Sequence, residues 1–390
     1  MCVLAGYIGD RPAAPILLEM LRREEGFAGG FYTGIATVQE GKLYHEKVVG
    51  DAATLIRETQ AQQLPGTIGV VHGRSPSGGG PQFAHPFLTE HHDMAYIANG
   101  AHNQYEERVD EAALGSELLR QGHVFSSACD DPGEYLSIRL SDGSFVHDCD
   151  IMCHAIQADF DELEESPYRL RDAMMQAYQS YPGEYVGLTL HANRPDEIAV
   201  ARHNMPLEIG RDNQGGIYLA STTIAFPEEV RWSMRMPPLS GAVIQRDGAI
   251  HIAPFTEASL LPMGAALSPD AINQQLCNLL RQRGAADVPE LLTEMKKMWP
   301  AGVLGEKEIV TYEALAALRN EGLVKLETRR IQGVKEGTTA PRCWVHWCEA
   351  ESSDRSMMVQ SKITEDRRFI DDCKSTFTEA VSTCGGAPGI

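Results

Sequence analysis

The chain begins Met1-Cys2-Val3-Leu4-Ala5-Gly6-Tyr7-Ile8-Gly9, an apolar run headed by a cysteine. The run reads as a buried strand, so the rest of the chain has to be arranged around its own N-terminus. Removal of the initiator methionine ahead of a small side chain would make Cys2 the terminal residue, with a free α-amino group beside its thiol. Such an amine titrates near pH ~8, so a base is on hand close to neutrality. A thiol with its own base is a compact nucleophile pair, by the logic that lets a threonine use its own N-terminal amine. A Met-Cys start also arises by chance, and only motifs further along the chain can give it meaning.

Pro12 to Arg23 carries Ile16, Leu17, Met20 and Leu21 at helical spacing. Glu24 to Gly30 reads as a break, and its three glycines suggest a loop passing close to another part of the chain. Two strands around Gln39-Glu40-Gly41 come next, then a helix over 52–63. The stretch 66–80 runs from an apolar strand through His72-Gly73-Arg74 into Ser75-Pro76-Ser77-Gly78-Gly79-Gly80. A loop of this kind offers backbone amides and one guanidinium to a ligand, or else is a solvated surface loop. Ala84-His85-Pro86 comes after it, then an apolar strand ending in Asn99-Gly100. Asn-Gly after a strand is ordinarily a hairpin turn.

These pieces share an order and spacing: Met-Cys, His72-Gly73-Arg74-x-x-Ser77-x-Gly79, Ala84-His85-Pro86 and Asn99-Gly100. Downstream come Ala199-Val200-Ala201-Arg202-His203-x-x-Pro206-Leu207-x-Ile209-Gly210 and Tyr218-Leu219-Ala220-Ser221. Residues 2 to about 253 thereby resemble the class-II glutamine amidotransferases, N-terminal-nucleophile hydrolases, and are most similar to the glutaminase domain of the glucosamine-phosphate synthase family. The resemblance implies an α+β fold, a four-layer α/β/β/α sandwich, with Cys2 as nucleophile and the Asn99 side chain and Gly100 N–H as oxyanion donors. It also implies that Arg74 meets the substrate carboxylate, with Ser77 and His85 beside it. Three positions depart from the family pattern: Val3 stands for a customary glycine, Ser75 for a tryptophan and Gly78 for a histidine. The loop is therefore expected to hold glutamine more weakly or to accept a different amide. No counterpart of the synthase's isomerase half is recognisable, so sugar amination is not expected.

The family also implies an acidic partner for the substrate ammonium. Phe125-x4-Asp130 and Phe145-x4-Asp150 offer the same local spacing. Asp130 runs into Asp131-Pro132-Gly133, a poor helix start. Asp150 precedes Ile151, Met152, Ala155, Ile156 and Phe160, one apolar helical face. Asp150 is therefore the expected residue, and residues 130–144 become an inserted hairpin turning at Asp142-Gly143. His147, Cys149, Cys153 and His154 nearby are metal-ligand types, but Cys-x3-Cys without a distant second pair is a poor zinc signature. The expectation is no metal and no cofactor.

Residues 256–270, with Pro262, Gly264 and Pro269, read as a linker, and 271–390 as a smaller α/β domain. Helices over 270–282 and 290–298 precede a helix–turn–strand run over 308–331 that is winged-helix-like at best, an ordinary αβ unit being the plainer reading. Cys343 to Cys348 alternates as a strand, and the tail from Cys384 reads as loose.

The net charge of −20 is uneven: from residue 271 on, 16 lysines and arginines face 17 acidic residues, which leaves −19 on the first 270. Phosphates would be repelled there, so nucleic acid is not an expected partner of the first domain. Nine cysteines without paired spacing indicate reduced thiols. Together with the absence of a signal core or an apolar membrane span, this points to the cytoplasm. Three function classes compete. The first is a glutaminase that delivers ammonia to an acceptor made on residues 271–390 or on a synthase partner. The second is an amidase acting on another amide, and the third a regulatory or binding protein on the same scaffold. A homo-oligomer is compatible with each.

Overall fold

A computed structural model describes residues 2–135, 137–256, 261, 263–264, 267–300 and 304–348. Strand Val3–Ile8 is buried at all six positions and lies between Ile68–Arg74 and Ile217–Ala220, antiparallel to both. It is the central strand of a seven-stranded sheet that ends in Lys42–Val49 on one side and Val230–Arg235 on the other. A six-stranded antiparallel sheet packs against it, with Glu184–His191 and Met94–Ala101 paired in its interior.

The two-residue period of the first strand decides what each side chain touches. Leu4 and Ile8 point between the sheets, into a core shared with Val70, Ile97, Leu188 and Val200. The opposite face meets helix Ala13–Ala28, which packs on Val3–Ile8 and Ile68–Arg74. Helices Asp148–Glu162 and Arg169–Ser180 cover the second sheet, burying Ile151, Ile156, Met174 and Tyr178 against Tyr96. Helix, sheet, sheet and helix thus form the expected four-layer α+β sandwich. Among the described residues no helix is long and apolar enough to cross a membrane.

The break expected at Glu24-Glu25-Gly26 is absent, because helix Ala13–Ala28 runs through it. Both carboxylates are buried and each has a backbone partner: Glu24 accepts from the Ser221 N–H at 3.2 Å and Glu25 from the Ala52 N–H at 2.9 Å. The glycines do mark close approaches. A side chain at Gly26 would come within 2.9 Å of the Cys343 nitrogen, and one at Gly29 would run into the Gly73 carbonyl, beside Arg74. The helix expected over 52–63 is Ala52–Glu58 and then a short 3-10 turn, Ala61–Gln63.

The expected inserted hairpin is present as Ile138–Arg139 paired with Phe145–Val146, with Gly143 in the left-handed region of its turn. Of the expected linker, 257–260, 262 and 265–266 lie outside the described residues, as does the tail from Cys384. Beyond it come helix Pro269–Arg283, strand Ala285–Asp287, helices Val288–Met295 and Lys307–Asn320, and strands Val324–Gln332 and Thr339–Trp347. The three strands form one sheet in which the last lies in the middle. Residues through His346 form one compact unit with the sandwich, and a second unit begins at Trp347. Polar clamps join the parts of the first unit. Arg202 meets Glu306 at 2.6 Å and Arg330 meets Asp51 at 2.6 Å, while the Glu313 carboxylate accepts from the Thr223 N–H and hydroxyl at 3.1 and 2.6 Å.

Burial pushes the Glu25 carboxyl up to about 7, against an ordinary 4.5. A folded pKa above the unfolded one means that this group's stabilising contribution is complete below about 4.5 and is lost as pH rises through about 7. Glu25→Gln keeps an acceptor for the Ala52 N–H without the titration. Urea unfolding at intervals across that window should therefore show a shallower loss of stability in the variant; parallel pH profiles would refute the assignment.

Candidate active site

Cys2 sits half-buried at the head of the central strand, and its backbone nitrogen donates to Asn99 Oδ1 at 2.9 Å. The Cys2 Sγ lies 4.0 Å from Ser75 Oγ. Together they open onto a cavity of about 470 Å³, lined also by Arg74, Ser77, His85, Gly100, Tyr135, His147 and Asp148, with Lys296, Lys307 and Glu308 from the C-terminal helices.

Asn99-Gly100 is not the turn its sequence suggests. Both residues belong to strand Met94–Ala101, where Asn99 pairs with Val186 and Gly100 with Tyr185. Gly100 has φ +138°, and a side chain on it would strike the Glu184 carbonyl. A glycine is therefore required where the strand passes the cavity.

Arg74 ends strand Ile68–Arg74 and is 2% exposed. Its Nε donates to Ser77 Oγ at 3.0 Å, Nη1 to the Phe83 carbonyl at 2.9 Å and Nη2 to the Gly78 carbonyl at 2.7 Å. Those bonds use three of the five guanidinium N–H groups and leave two for a ligand. The Arg74 Cζ lies 4.3 Å from the Tyr32 ring centroid and 4.6 Å from that of Tyr135. Ser77 thus reaches the site as a support for Arg74. His85 is buried against the His72 ring, 3.9 Å between centroids, and neither of its ring nitrogens has a hydrogen-bond partner. Burial first, and then His72 and His147, hold it well below the ordinary histidine range, so the ring is neutral.

The structure does not bring Asp150 to the cavity. Asp150 is fully buried and accepts from the Ser127 N–H at 2.7 Å and the Ser127 hydroxyl at 2.8 Å. Asp148 lines the cavity instead. Both lie in the first turn of helix Asp148–Glu162, and positions two apart on a helix are separated by about 200° around the axis. One faces the cavity and the other the protein interior. Burial works against the Asp148 charge, but the His147 ring, 2.5 Å away, and the Cys149 N–H outweigh it, so the carboxyl is held below its ordinary value and stays ionised. Asp130 is exposed. Asp148 and Asp150 both stand in the first turn after the N-cap His147, where an acid faces the positive helix end, so that position does not tell them apart. Equal Phe-x4-Asp spacing could not reveal Asp148 either.

No protein-family model matches the chain. It is 28% identical over 249 residues to a glutamine–fructose-6-phosphate aminotransferase (isomerizing) of Pyrococcus horikoshii, covering 63% of this chain and 37% of that one. It is 30% identical over 251 residues to the protein of the same name from Chlorobaculum tepidum, covering 63% and 36%. Over these residues the chain is similar to glutamine amidotransferases. It spans little more than a third of the length of these curated relatives. The fold is shared with a glutamine phosphoribosylpyrophosphate amidotransferase from B. subtilis, at TM-score 0.53 and 19% identity over 72% of this chain and 58% of that one. It is shared too with a solved allosteric regulatory enzyme of purine biosynthesis, at 0.54 and 17% over 80% and 63%.

The glycine at position 78 and the inserted segment are structurally coupled. Gly78 has φ +89°, and a side chain on it would press on the Tyr135 nitrogen at 3.1 Å. The inserted segment therefore needs a glycine beneath it, and its Tyr135 ring covers Arg74 while stacking on His147 at 5.0 Å. Neither Tyr135 nor the lysines and glutamate from the C-terminal helices carries a recognisable motif.

The thiols among the described residues differ sharply in environment. Burial pushes Cys149 and Cys153 well above the ordinary thiol range and Cys343 up to about 12; Cys2 and Cys149 both line the cavity, but Cys149 is only 6% exposed whereas Cys2 is half-buried. Brief alkylation of the native protein near neutral pH, read by peptide mass, should modify Cys2 and leave those three untouched until the protein is denatured. Modification of Cys149 ahead of Cys2 would contradict this site geometry.

Proposed function

We propose that the protein hydrolyses the side-chain amide of glutamine through a Cys2 thioester and delivers the ammonia to an acceptor. The observation that carries this reading is the meeting of Cys2, Arg74, Asn99, Gly100 and Asp148 around one cavity, from four separate stretches of sequence.

With Cys2 as the mature N-terminus, its α-amino group takes the thiol proton and the sulfur attacks the amide carbon. Asn99 Oδ1 holds the Cys2 nitrogen, which leaves the Nδ2 amide to donate, with the Gly100 N–H, to the oxyanion. The proton returns to the departing nitrogen, ammonia leaves, and water then releases glutamate from the thioester. The two N–H groups of Arg74 left by its protein partners would take the substrate carboxylate, and ionised Asp148 would take the ammonium. Asp148 replaces Asp150 in that role. His85 forms part of the neutral wall behind them.

Residues 2–255 form the glutaminase domain in this reading, 256–270 the linker and 271–390 a second domain. The helix–strand–helix–helix–strand–strand order of its described part is that of a winged helix. The helix that would read a nucleic-acid groove, Lys307–Asn320, is turned inward, with Glu308, Ile309, Thr311, Tyr312 and Leu315 buried. This favours a role at the cavity mouth over nucleic-acid binding, and an acceptor bound there or on a synthase partner, in a homo-oligomer or not. Seven free cysteines among the described residues suit a reducing, cytoplasmic compartment.

Ammonia release from glutamine by the purified protein tests the reading. Cys2→Ala should abolish it, and intact mass should show Met1 removed in active protein. Asn99→Ala should lower kcat about 10²–10³-fold. Release from another amide but not from glutamine would favour the amidase alternative, for which the Ser75, Gly78 and Tyr135 departures speak. No release from any amide, with an inert Cys2, would leave a binding protein.

The charge assignment has its own test. Arg74→Ala and Asp148→Asn should each raise KM strongly, since losing one partner of a desolvated charged contact costs about 2–5 kcal/mol. Asp130→Asn, at an exposed position, should change little. A normal KM in Asp148→Asn would remove this residue from the site.

A further inference from the structure

Three side chains with no part in this reaction meet away from the cavity. Glu90 lies in the turn between strands Phe87–Leu88 and Met94–Ala101, His123 just past helix Glu111–Gln121, and His154 in helix Asp148–Glu162. The two histidine Nδ1 atoms are 3.1 Å apart. Glu90 Oε2 is 3.3 Å from the Nδ1 of His154, and Glu90 Oε1 is 3.7 Å from that of His123. Donors on a tetrahedral zinc ion, each ~2.0–2.1 Å from the metal, lie ~3.3 Å from one another. The observed separations, 3.1 to 3.7 Å, lie near that value, with each histidine facing a different oxygen of Glu90.

Hydrogen bonding accounts for only part of this cluster, since one Nδ1–H can bridge the two rings but not also serve Glu90. Two imidazole nitrogens and a carboxylate converge, and all three are acceptors unless a ring is protonated at Nδ1. His154 is completely buried. Glu90 Oε2 and His154 Nε2 are both buried without a hydrogen-bond partner. A cation between the three would satisfy the carboxylate oxygen and fix both Nδ1 lone pairs inward. The outward nitrogen of His154 then has a purpose, because its Nε2 lies 3.7 Å from the buried Asp150 carboxylate. A carboxylate behind a ligating histidine is the usual second layer of a metal site.

We propose that Glu90, His123 and His154 bind a divalent cation of the zinc class. Two imidazoles and one carboxylate suit such an ion and not magnesium or calcium, which take oxygen ligands. The Glu90 and His123 side chains are 23% and 13% exposed, which gives water access to a fourth position. The ion is a brace. It ties a turn, a loop and a helix together, and through His154 it backs Asp150. Asp150 accepts from Ser127, whose hydroxyl in turn accepts from the His147 N–H at 2.9 Å, at the start of the helix that presents Asp148. Binding of the ion does not depend on glutamine being the substrate.

The test uses the full chain, stripped with a chelator, reloaded with zinc(II) alone, desalted and measured for metal by mass spectrometry. One retained equivalent is expected, and cobalt(II) in its place should give the visible d–d absorption of a site of low coordination number. His123→Ala and the isosteric Glu90→Gln should each abolish stoichiometric retention, and Asp150→Asn should weaken it about 10–100-fold. The ligand atoms of His147, Asp148 and Cys149 also lie close together, so Cys149→Ala, expected to retain the metal, serves as the control. Zinc should raise the unfolding temperature of the wild type but not of Glu90→Gln. A folded wild type that retains no zinc, or retention lost in Cys149→Ala and kept in Glu90→Gln, overturns the proposal.

Discussion

The hydrogen bond from the Cys2 nitrogen to Asn99 Oδ1 joins the central strand of one sheet to an interior strand of the other. Everything at the site depends on that junction. It holds the Cys2 nitrogen, the base of the proposed reaction, and by occupying one end of the Asn99 amide it aims the other end. It is available only because two strands far apart in sequence end at the same place. Their register is held by the apolar core between the sheets, where Leu4 and Ile97 meet, so the precision of the site is borrowed from packing.

Around this junction the pocket is assembled by close approach. Gly29 lets the end of the first helix press against the Gly73 carbonyl, which positions Arg74, and Gly78 admits the backbone at Tyr135. The inserted hairpin is therefore a working wall of the cavity. Its tyrosine and Tyr32 hold the guanidinium between two ring faces, an arrangement that fixes its plane while leaving N–H groups at its edge.

The C-terminal helices complete the enclosure. Arg202, fully buried, is tied to Glu306, and Glu313 reaches Thr222 and Thr223 beside the strand that flanks the nucleophile strand. Breaking either contact would leave buried polar groups unpaired, which is costly enough to keep the unit seated. Its seating brings Lys296, Lys307 and Glu308 to the cavity, so the mouth carries charge of both signs in a chain whose first 270 residues are strongly acidic.

What the sequence alone determined was whatever depends on local order and period. The buried first strand, the glycines of close approach, the helix bearing Ile151, Ile156 and Phe160, and the motif residues Cys2, Arg74, Asn99 and Gly100 were all legible, because strand and helix periods and short ordered motifs are properties of neighbouring residues. Tertiary structure alone decided which of two carboxylates faces the cavity, since Asp148 and Asp150 differ by a rotation about a helix axis that only packing sets. It also carried the first helix through Glu24-Glu25-Gly26, because partners for those carboxylates come from Ala52 and Ser221. It placed Asn99-Gly100 inside a strand, brought Tyr135 over Arg74, and set Glu90, His123 and His154 within bonding distance of one another. Each of these rests on contacts between residues distant in the chain, which no local pattern encodes.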